Sequence, residues 1–82
     1  MKLSFTKEEW SNLDFISVYT DLIPTAENCK KEDEYVIDLS DDDWNEVNGF
    51  IAAEANHAET KSAENSFDAL YNKIEKALYT DN

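Results

Sequence analysis

The sequence predicts a mostly α, small α+β fold: three helices, to which residues 2–5 and 34–39 can add a short two-stranded sheet. Both tryptophans follow a Ser or Thr by four positions and an acid by one, which is the pattern of a capped helix start. Apolar residues recur at helical spacing after each start, and the two short runs alternate as strands do. The chain has 82 residues, so we predict a single small acidic domain over residues 1–82.

The first helix is predicted from about residue 7 to about residue 23. Thr6 suits its N-cap, and Glu9, three residues later, completes a capping box. Trp10 follows at a position that packs against the residue before the cap. Pro24 ends the helix, because proline disfavours helical geometry in the residue before it.

Residues 24–33, PTAENCKKED, are predicted to form a polar loop. Cys29 is the chain's one cysteine, so an internal disulfide and a cysteine metal cluster are excluded and a free thiol is expected in this loop. The run EYVIDL, residues 34–39, alternates as a strand does, and KLSF, residues 2–5, is its expected partner. Because two strands alone are marginally stable, helices must cover one face of them.

The second helix is predicted to begin at Asp41, directly after Ser40 as N-cap. Negative charge in the first turn of a helix is favoured by the helix dipole by about 0.3–1 kcal/mol per side chain, which explains part of the run of three aspartates. The apolar residues of this helix share one face: Trp44, Val47, Ile51, Ala55 and Ala58.

A third helix is predicted with Asn65 as its cap. Its inward face consists of Phe67, Leu70, Tyr71, Ile74 and Leu78. Since neither glycine nor proline occurs after residue 49, the second and third helices could instead form one long rod. Residues 59–65 contain no large apolar side chain, and we therefore expect the helices to be separated there.

Two segments of the chain resemble each other: LSFTKEEWSNLDFI, residues 3–16, aligns with IDLSDDDWNEVNGFI, residues 37–51, after one inserted residue. An ancestral duplication and a helix start reached twice independently both explain the repeat. Residues 5–14, FTKEEWSNLD, also resemble the start of the Krüppel-associated box of vertebrate repressors, which recruits a co-repressor scaffold. The Asp-Pro pair that follows the tryptophan in that family is absent, and the pattern recurs at residues 40–44, so no function is carried over from this resemblance.

Negative charge is the strongest feature of the sequence. The chain has 19 acids, 7 lysines and no arginine, for a net charge of -12. Residues 32–60 hold ten of the acids and no lysine, so they carry -10 of that -12. Without arginine the chain lacks the planar fork that binds phosphates and base edges, and its net charge repels nucleic acid and anionic membranes. We therefore exclude direct nucleic-acid and membrane binding and expect a basic protein partner, with a homodimer left open.

Metal binding finds no support in the spacing of the acids. Asp41, Asp43 and Asn45 match the first three ligands of a calcium-binding loop, but Glu46 stands where glycine is required and Ala52 where a bidentate glutamate is required.

Catalytic motifs are also missing, since the sequence contains no nucleophile elbow, phosphate-binding glycine loop or Cys/His pairing. His57 has no second histidine or nearby cysteine and is expected to face solvent. We predict no enzyme activity, no catalytic or metal-ligating residue and no cofactor. No apolar run approaches the roughly 20 residues of a membrane span, and MKLSF is too short for a secretion signal, so a cytoplasmic location is expected.

The aromatic residues divide between core and surface. Trp10 and Trp44 are expected in the core, whereas Tyr35, placed out of phase with Val36, and Tyr79 are candidate contact residues. With the acids, the candidate partner-binding residues are Glu32, Asp33, Glu34, Asp38, Asp41, Asp42, Glu46, Glu54, Glu59 and Tyr35.

These features favour an acidic stoichiometric inhibitor that blocks the nucleic-acid site of a basic protein, such as a phage anti-CRISPR or anti-restriction protein. Residues 32–60 would present their carboxylates at helical spacing on one face, as a mimic of the phosphate backbone. An immunity protein or antitoxin that neutralises a basic nuclease toxin shares this electrostatic character. A plain interaction adaptor, whose charge only gives solubility, is the third alternative.

Overall fold

The computed structural model describes residues 1–79 as four helices and three strands. The elements in chain order are β1 (Lys2–Phe5), α1 (Lys7–Ile16), α2 (Ala26–Cys29), β2 (Lys30–Lys31), β3 (Glu34–Asp38), α3 (Asp41–His57) and α4 (Lys61–Tyr79). The predicted small α+β class is confirmed, with one short helix and one short strand beyond those predicted.

The predicted pairing of the two strands is confirmed. β1 and β3 are antiparallel, with Leu3 opposite Ile37 and Phe5 opposite Tyr35. β2 pairs with the other edge of β3, so the strand order is β1-β3-β2. β2 consists of two lysines and therefore lacks the alternation of apolar and polar residues that predicts a strand. For this reason residues 30–31 were predicted as part of a loop. Glu32 begins the two-residue turn before β3 with φ 55°, a left-handed conformation that turns of this kind require.

The first helix is shorter than predicted, because α1 ends at Ile16 rather than near residue 23. The hydroxyl of Ser17 donates to the carbonyl of Asp14, an interaction that competes with the continuing helix. Val18 follows, and its branched side chain lowers helix propensity further. The chain then leaves the helix and is buried again at Ile23.

The expected separation of the second and third helices is confirmed, since α3 ends at His57 and α4 begins at Lys61. The prediction that Asn65 caps the last helix is wrong. The hydroxyl of Thr60 instead accepts from the backbone N–H of Ala63 at 3.1 Å, so α4 begins one turn earlier. The connection is short, and α3 and α4 pack against each other more extensively than any other two elements of residues 1–79.

The core lies between the sheet and the helices. Trp10 and Trp44 are both buried, as predicted, and the rings of Phe5 and Trp44 meet with their centroids 5.8 Å apart. Across the α3–α4 interface, the side-chain amide of buried Asn48 donates to the carbonyl of Tyr71 at 3.3 Å.

Candidate partner-binding surface

The run of three aspartates forms the first turn of α3, as predicted. The hydroxyl of Ser40 accepts from the backbone N–H of Asp43 at 3.1 Å, which caps the helix. One residue later, the indole N–H of Trp44 donates to the carbonyl of Met1 at 2.8 Å. The start of α3 is therefore held by a cap and by a buried side chain, and Asp41 and Asp42 project from it into solvent.

The charge at this helix start is not offset by lysine. Within residues 1–79, lysine ion pairs reach Glu9 at 2.9 Å and Glu64 at 3.2 Å, and both acids lie outside residues 32–60. Asp42 and Glu46 are exposed and stand one helical turn apart, a like-charge spacing that costs a helix a few tenths of a kcal/mol. The helix dipole favours Asp42 but does not reach Glu46, because it acts within the first turn.

The other acids of residues 32–60 do not extend this helical row, which corrects the prediction of a single carboxylate face. Glu32 and Asp33 lie in the turn between β2 and β3, and Glu34 pairs in register with Lys31. At about 3.3 Å per residue, β3 places Glu34 about 13 Å from Asp38, at the opposite end of the strand from α3. The acids therefore form two groups, one at the turn and one at the start of α3.

Three predicted acids lie apart from both groups or have their own partners. The carboxylate of Asp38 is 3.4 Å from the amino group of Met1. Glu54 accepts a hydrogen bond from the hydroxyl of Tyr19 at 2.7 Å. Glu59 is exposed in the connection between α3 and α4.

The prediction that Tyr35 contacts a partner is wrong, because its side chain is only 6% exposed. Its ring stacks on that of Trp10 at a centroid distance of 5.0 Å, and the ammonium of Lys30 lies 5.9 Å from the ring centroid. Tyr35 and Ile37 point into the core from the central strand, whereas Val36 is only partly buried. The alternation of the strand is thus in the opposite phase to the one expected.

A group of exposed apolar side chains was missed by the sequence analysis. Phe15 is 45% exposed, Val18 74% and Tyr19 52%. The ring of Tyr19 stacks on that of partly buried Phe50 at 5.8 Å. We call Phe15, Val18, Tyr19 and Phe50 the aromatic patch. The signal for it was the β-branched and aromatic run after Phe15, which was interpreted as a weak continuation of the first helix.

Acidic side chains border the aromatic patch. Residues 17–22 line an open depression of about 440 Å³ together with Glu46 from α3, so Glu46 and Tyr19 share this depression. The hydrogen bond to the carboxylate of Glu54 raises the pKa of Tyr19, because it stabilises the protonated phenol. The surface therefore combines apolar area with negative charge from α3 and from Asp21.

Within residues 1–79, Cys29, His57 and Tyr79 lie on three different helices. Burial raises the pKa of the free thiol of Cys29, which lowers its reactivity. His57 is exposed at the end of α3. Tyr79 is also exposed, and its hydroxyl donates to the side-chain oxygen of Asn45 at 3.2 Å. Among residues 1–79, the structure shows no group of three or more His, Cys, Asp or Glu side chains placed to hold a metal ion.

Comparison of the chain with protein-family models, with curated proteins and with solved structures finds no match in any of the three. None of the helices within the described part of the chain combines the length and apolar character that crossing a membrane requires.

Proposed function

We propose that the protein is an acidic stoichiometric inhibitor that binds a basic, nucleic-acid-binding protein and blocks its nucleic-acid site. The observation that carries the proposal is the concentration of charge, since residues 32–60 hold ten acids and no lysine. Such a surface attracts the lysines and arginines that otherwise hold phosphates, and it repels nucleic acid itself.

The acids lie on backbone that is already ordered, so a partner would not have to order these segments when it binds. Asp41 and Asp42 project from a capped helix start, and Glu32 and Asp33 occupy a tight turn that the sheet holds in place. Charges presented on ordered backbone lose little conformational entropy when a partner binds. Their field also steers a basic partner before contact, so association is expected to be fast and to weaken as salt increases.

Two biological roles would use the same electrostatic contact, and the class of the partner protein distinguishes them. A restriction or CRISPR nuclease would make the protein an anti-defence inhibitor, whereas a nuclease toxin would make it an immunity protein or antitoxin. The adaptor alternative rests on a different observation, the exposed aromatic patch, because an adaptor would bind mainly through apolar contacts.

The test begins with a tagged pull-down from host-cell and nuclease-bearing lysates, eluted with a salt gradient, and continues with the purified partner. We expect the partner to be basic, to elute at moderate salt and to lose nucleic-acid binding in proportion to the amount of inhibitor added. A neutral partner that resists high salt would contradict the proposal.

Matched charge variants then test the acids themselves. The variant D41N/D42N/E46Q and the control E8Q/E27Q/D68N each remove three exposed carboxylates and change the net charge from -12 to -9. We expect the first to weaken binding at least about tenfold, equivalent to about 1.4 kcal/mol, and the control to weaken it much less. Equal losses would show that net charge, and not the acids at the start of α3, determines affinity.

A further inference from the structure

The aromatic patch consists of exposed or partly buried apolar side chains that are close in sequence or in contact. Single exposed apolar residues are common on proteins and need no explanation. Here Phe15, Val18 and Tyr19 lie within five consecutive residues, and Phe50 extends the apolar area onto α3. A contiguous apolar area with a polar rim is the usual appearance of an interaction surface.

The patch is held in place by contacts on both sides. Tyr19 stacks on Phe50 with the ring planes 12° apart, and its hydroxyl is hydrogen-bonded to Glu54. Phe15 meets the ring of Phe67 on α4 edge-on, with centroids 6.1 Å apart. The exposed rings are thus anchored to two helices, so a partner would bind an ordered surface rather than a segment that it must first immobilise.

On the side of the patch formed by residues 15–23 and α3, the charged side chains are carboxylates. Glu46 and Asp21 line the adjacent depression, and Glu54 lies at the hydroxyl of Tyr19. Neither residues 15–23 nor residues 41–60 contain a lysine. Apolar area bordered by carboxylates is complementary to apolar side chains flanked by lysine or arginine.

We propose that the aromatic patch and its acidic rim bind a basic amphipathic helix of a partner protein, with its apolar side chains on the patch and its Lys and Arg side chains on the rim. The inference rests on the proposed function, because it assigns the apolar part of the same contact with a basic partner. Helices of this kind are a standard ligand of apolar grooves and surfaces.

A second copy of the chain is a poor occupant of the same surface. In a symmetric dimer the same patch would be used on both copies, so the carboxylates of Asp21, Glu46 and Glu54 would approach those of the other chain. Like charges placed against each other at an interface disfavour association. An anionic membrane or a nucleic acid meets the same repulsion.

The test uses two synthetic 18-residue peptides of equal positive charge: an amphipathic Leu/Lys helix and a Ser/Lys peptide in which serine replaces every leucine. We expect the Leu/Lys peptide to bind the protein at least about tenfold more tightly, measured by fluorescence anisotropy. In ¹⁵N-labelled protein, we expect the shifts to concentrate in residues 15–22 and at Phe50.

The double variant V18S/Y19S should abolish the preference for the Leu/Lys peptide while leaving binding of the Ser/Lys peptide unchanged. Both side chains are largely exposed, so the fold should survive, and a denaturation curve checks this. The matched control is Y79S, which removes another exposed tyrosine, whose hydroxyl donates to Asn45. This control should retain the preference.

Equal binding of the two peptides, or a preference that survives V18S/Y19S, would overturn the inference. So would a dimer in sedimentation experiments at high salt that V18S/Y19S dissociates, because a second copy would then cover the patch. The outcome is separate from that of the proposed function. If D41N/D42N/E46Q weakens both peptides equally while V18S/Y19S has no effect, the electrostatic proposal stands and the patch does not take part.

Discussion

Two strand–helix units of the molecule carry the same local sequence pattern but differ in how their acids are paired. In one unit an acid pairs with a lysine, and in the other the acids have no lysine partner within residues 1–79. The first consists of β1 and α1, the second of β3 and α3, and their strands pair with Leu3 opposite Ile37. In the first unit, Glu9 completes the capping box with Thr6 and forms a 2.9 Å ion pair with Lys73. The start of the second unit carries more acids and no lysine partner within residues 1–79.

This difference separates an acid held in an ion pair from acids that the helix dipole alone favours. The ammonium of Lys73 also donates to the carbonyl of Ser4 at 2.7 Å and lies 4.8 Å from the ring centroid of Phe5. The ion pair of Glu9 with Lys73 therefore links α1 to α4, and the hydrogen bond from Lys73 to Ser4 links both to β1. Among residues 1–79, no ion pair engages Asp42 or Glu46, and the spacing of these two carboxylates is repulsive. The proposed role in binding would account for Glu46, which the helix dipole does not favour.

The largest expected effect compares the two tryptophans. Trp44 is 0% exposed and its indole N–H is hydrogen-bonded to Met1, whereas Trp10 is 8% exposed and stacks on Tyr35. We expect Trp44→Phe to lower the free energy of unfolding by about 2–3 kcal/mol, because it leaves a cavity and removes a donor. Trp10→Phe should cost about 1 kcal/mol, because a phenyl ring can still stack on Tyr35.

Urea denaturation, with equal slopes in denaturant, measures both losses. Equal losses would mean that the two units contribute alike to the core. A larger loss for Trp10→Phe would place the centre of the core at β3 and α1.

The parts of the fold that sequence predicts are those fixed within a few residues. Thr6 with Glu9 and Ser40 with Asp43 are local signals, and both helix starts are found where they were expected. The pairing of residues 2–5 with 34–39 followed because the chain offers few alternating runs. That Tyr35 faces the core could not be predicted, because the buried face of β3 depends on where the helices pack.

The candidate partner-binding surface is less predictable than the fold for the same reason. The total charge of residues 32–60 is a property of sequence, but its division into two groups depends on the turn before β3. The aromatic patch depends on α1 ending at Ile16, which brings Tyr19 to Phe50 across the fold.

Measuring stability at several pH values tests Glu9, the acid of the first unit that pairs with Lys73. Burial alone would raise the pKa of Glu9, but hydrogen bonds from Thr6 and the ion pair with Lys73 together lower it. The folded-state pKa thus lies below the unfolded one, so the stabilisation is present above the ordinary pKa of 4.5 and is lost as the pH falls through the folded value. We expect Glu9→Gln to cost about 1 kcal/mol at pH 7, with the difference shrinking below about pH 4.5.

The counterpart in the second unit is Asp42→Asn. The helix dipole favours Asp42 while Glu46 repels it, and these effects are of similar size, so the change at pH 7 should stay within about 0.5 kcal/mol. Urea curves at pH 7, 5 and 3.5 measure both variants. A pH-independent cost for Glu9→Gln would show that its charge contributes nothing beyond the hydrogen bonds.

The smallest expected effect separates stability from binding at a single residue. Glu46→Lys turns a repulsive pair with Asp42 into an attractive one, and it should raise the free energy of unfolding by about 0.5 kcal/mol at low salt. Glu46→Gln should give about half of that gain. The same two variants should weaken binding of a basic partner in the same order, because Glu46 lies at the rim of the aromatic patch and one turn from Asp42.

Opposite trends in urea denaturation and in partner affinity would identify Glu46 as a residue that the protein keeps at a small cost in stability for its interaction. If Glu46→Lys stabilised the fold and left affinity unchanged, the exposed charge of α3 would be unfavourable surface without a binding role. The proposal would then have to rest on the acids of the turn before β3, where Lys31 stands opposite Glu34 in the sheet.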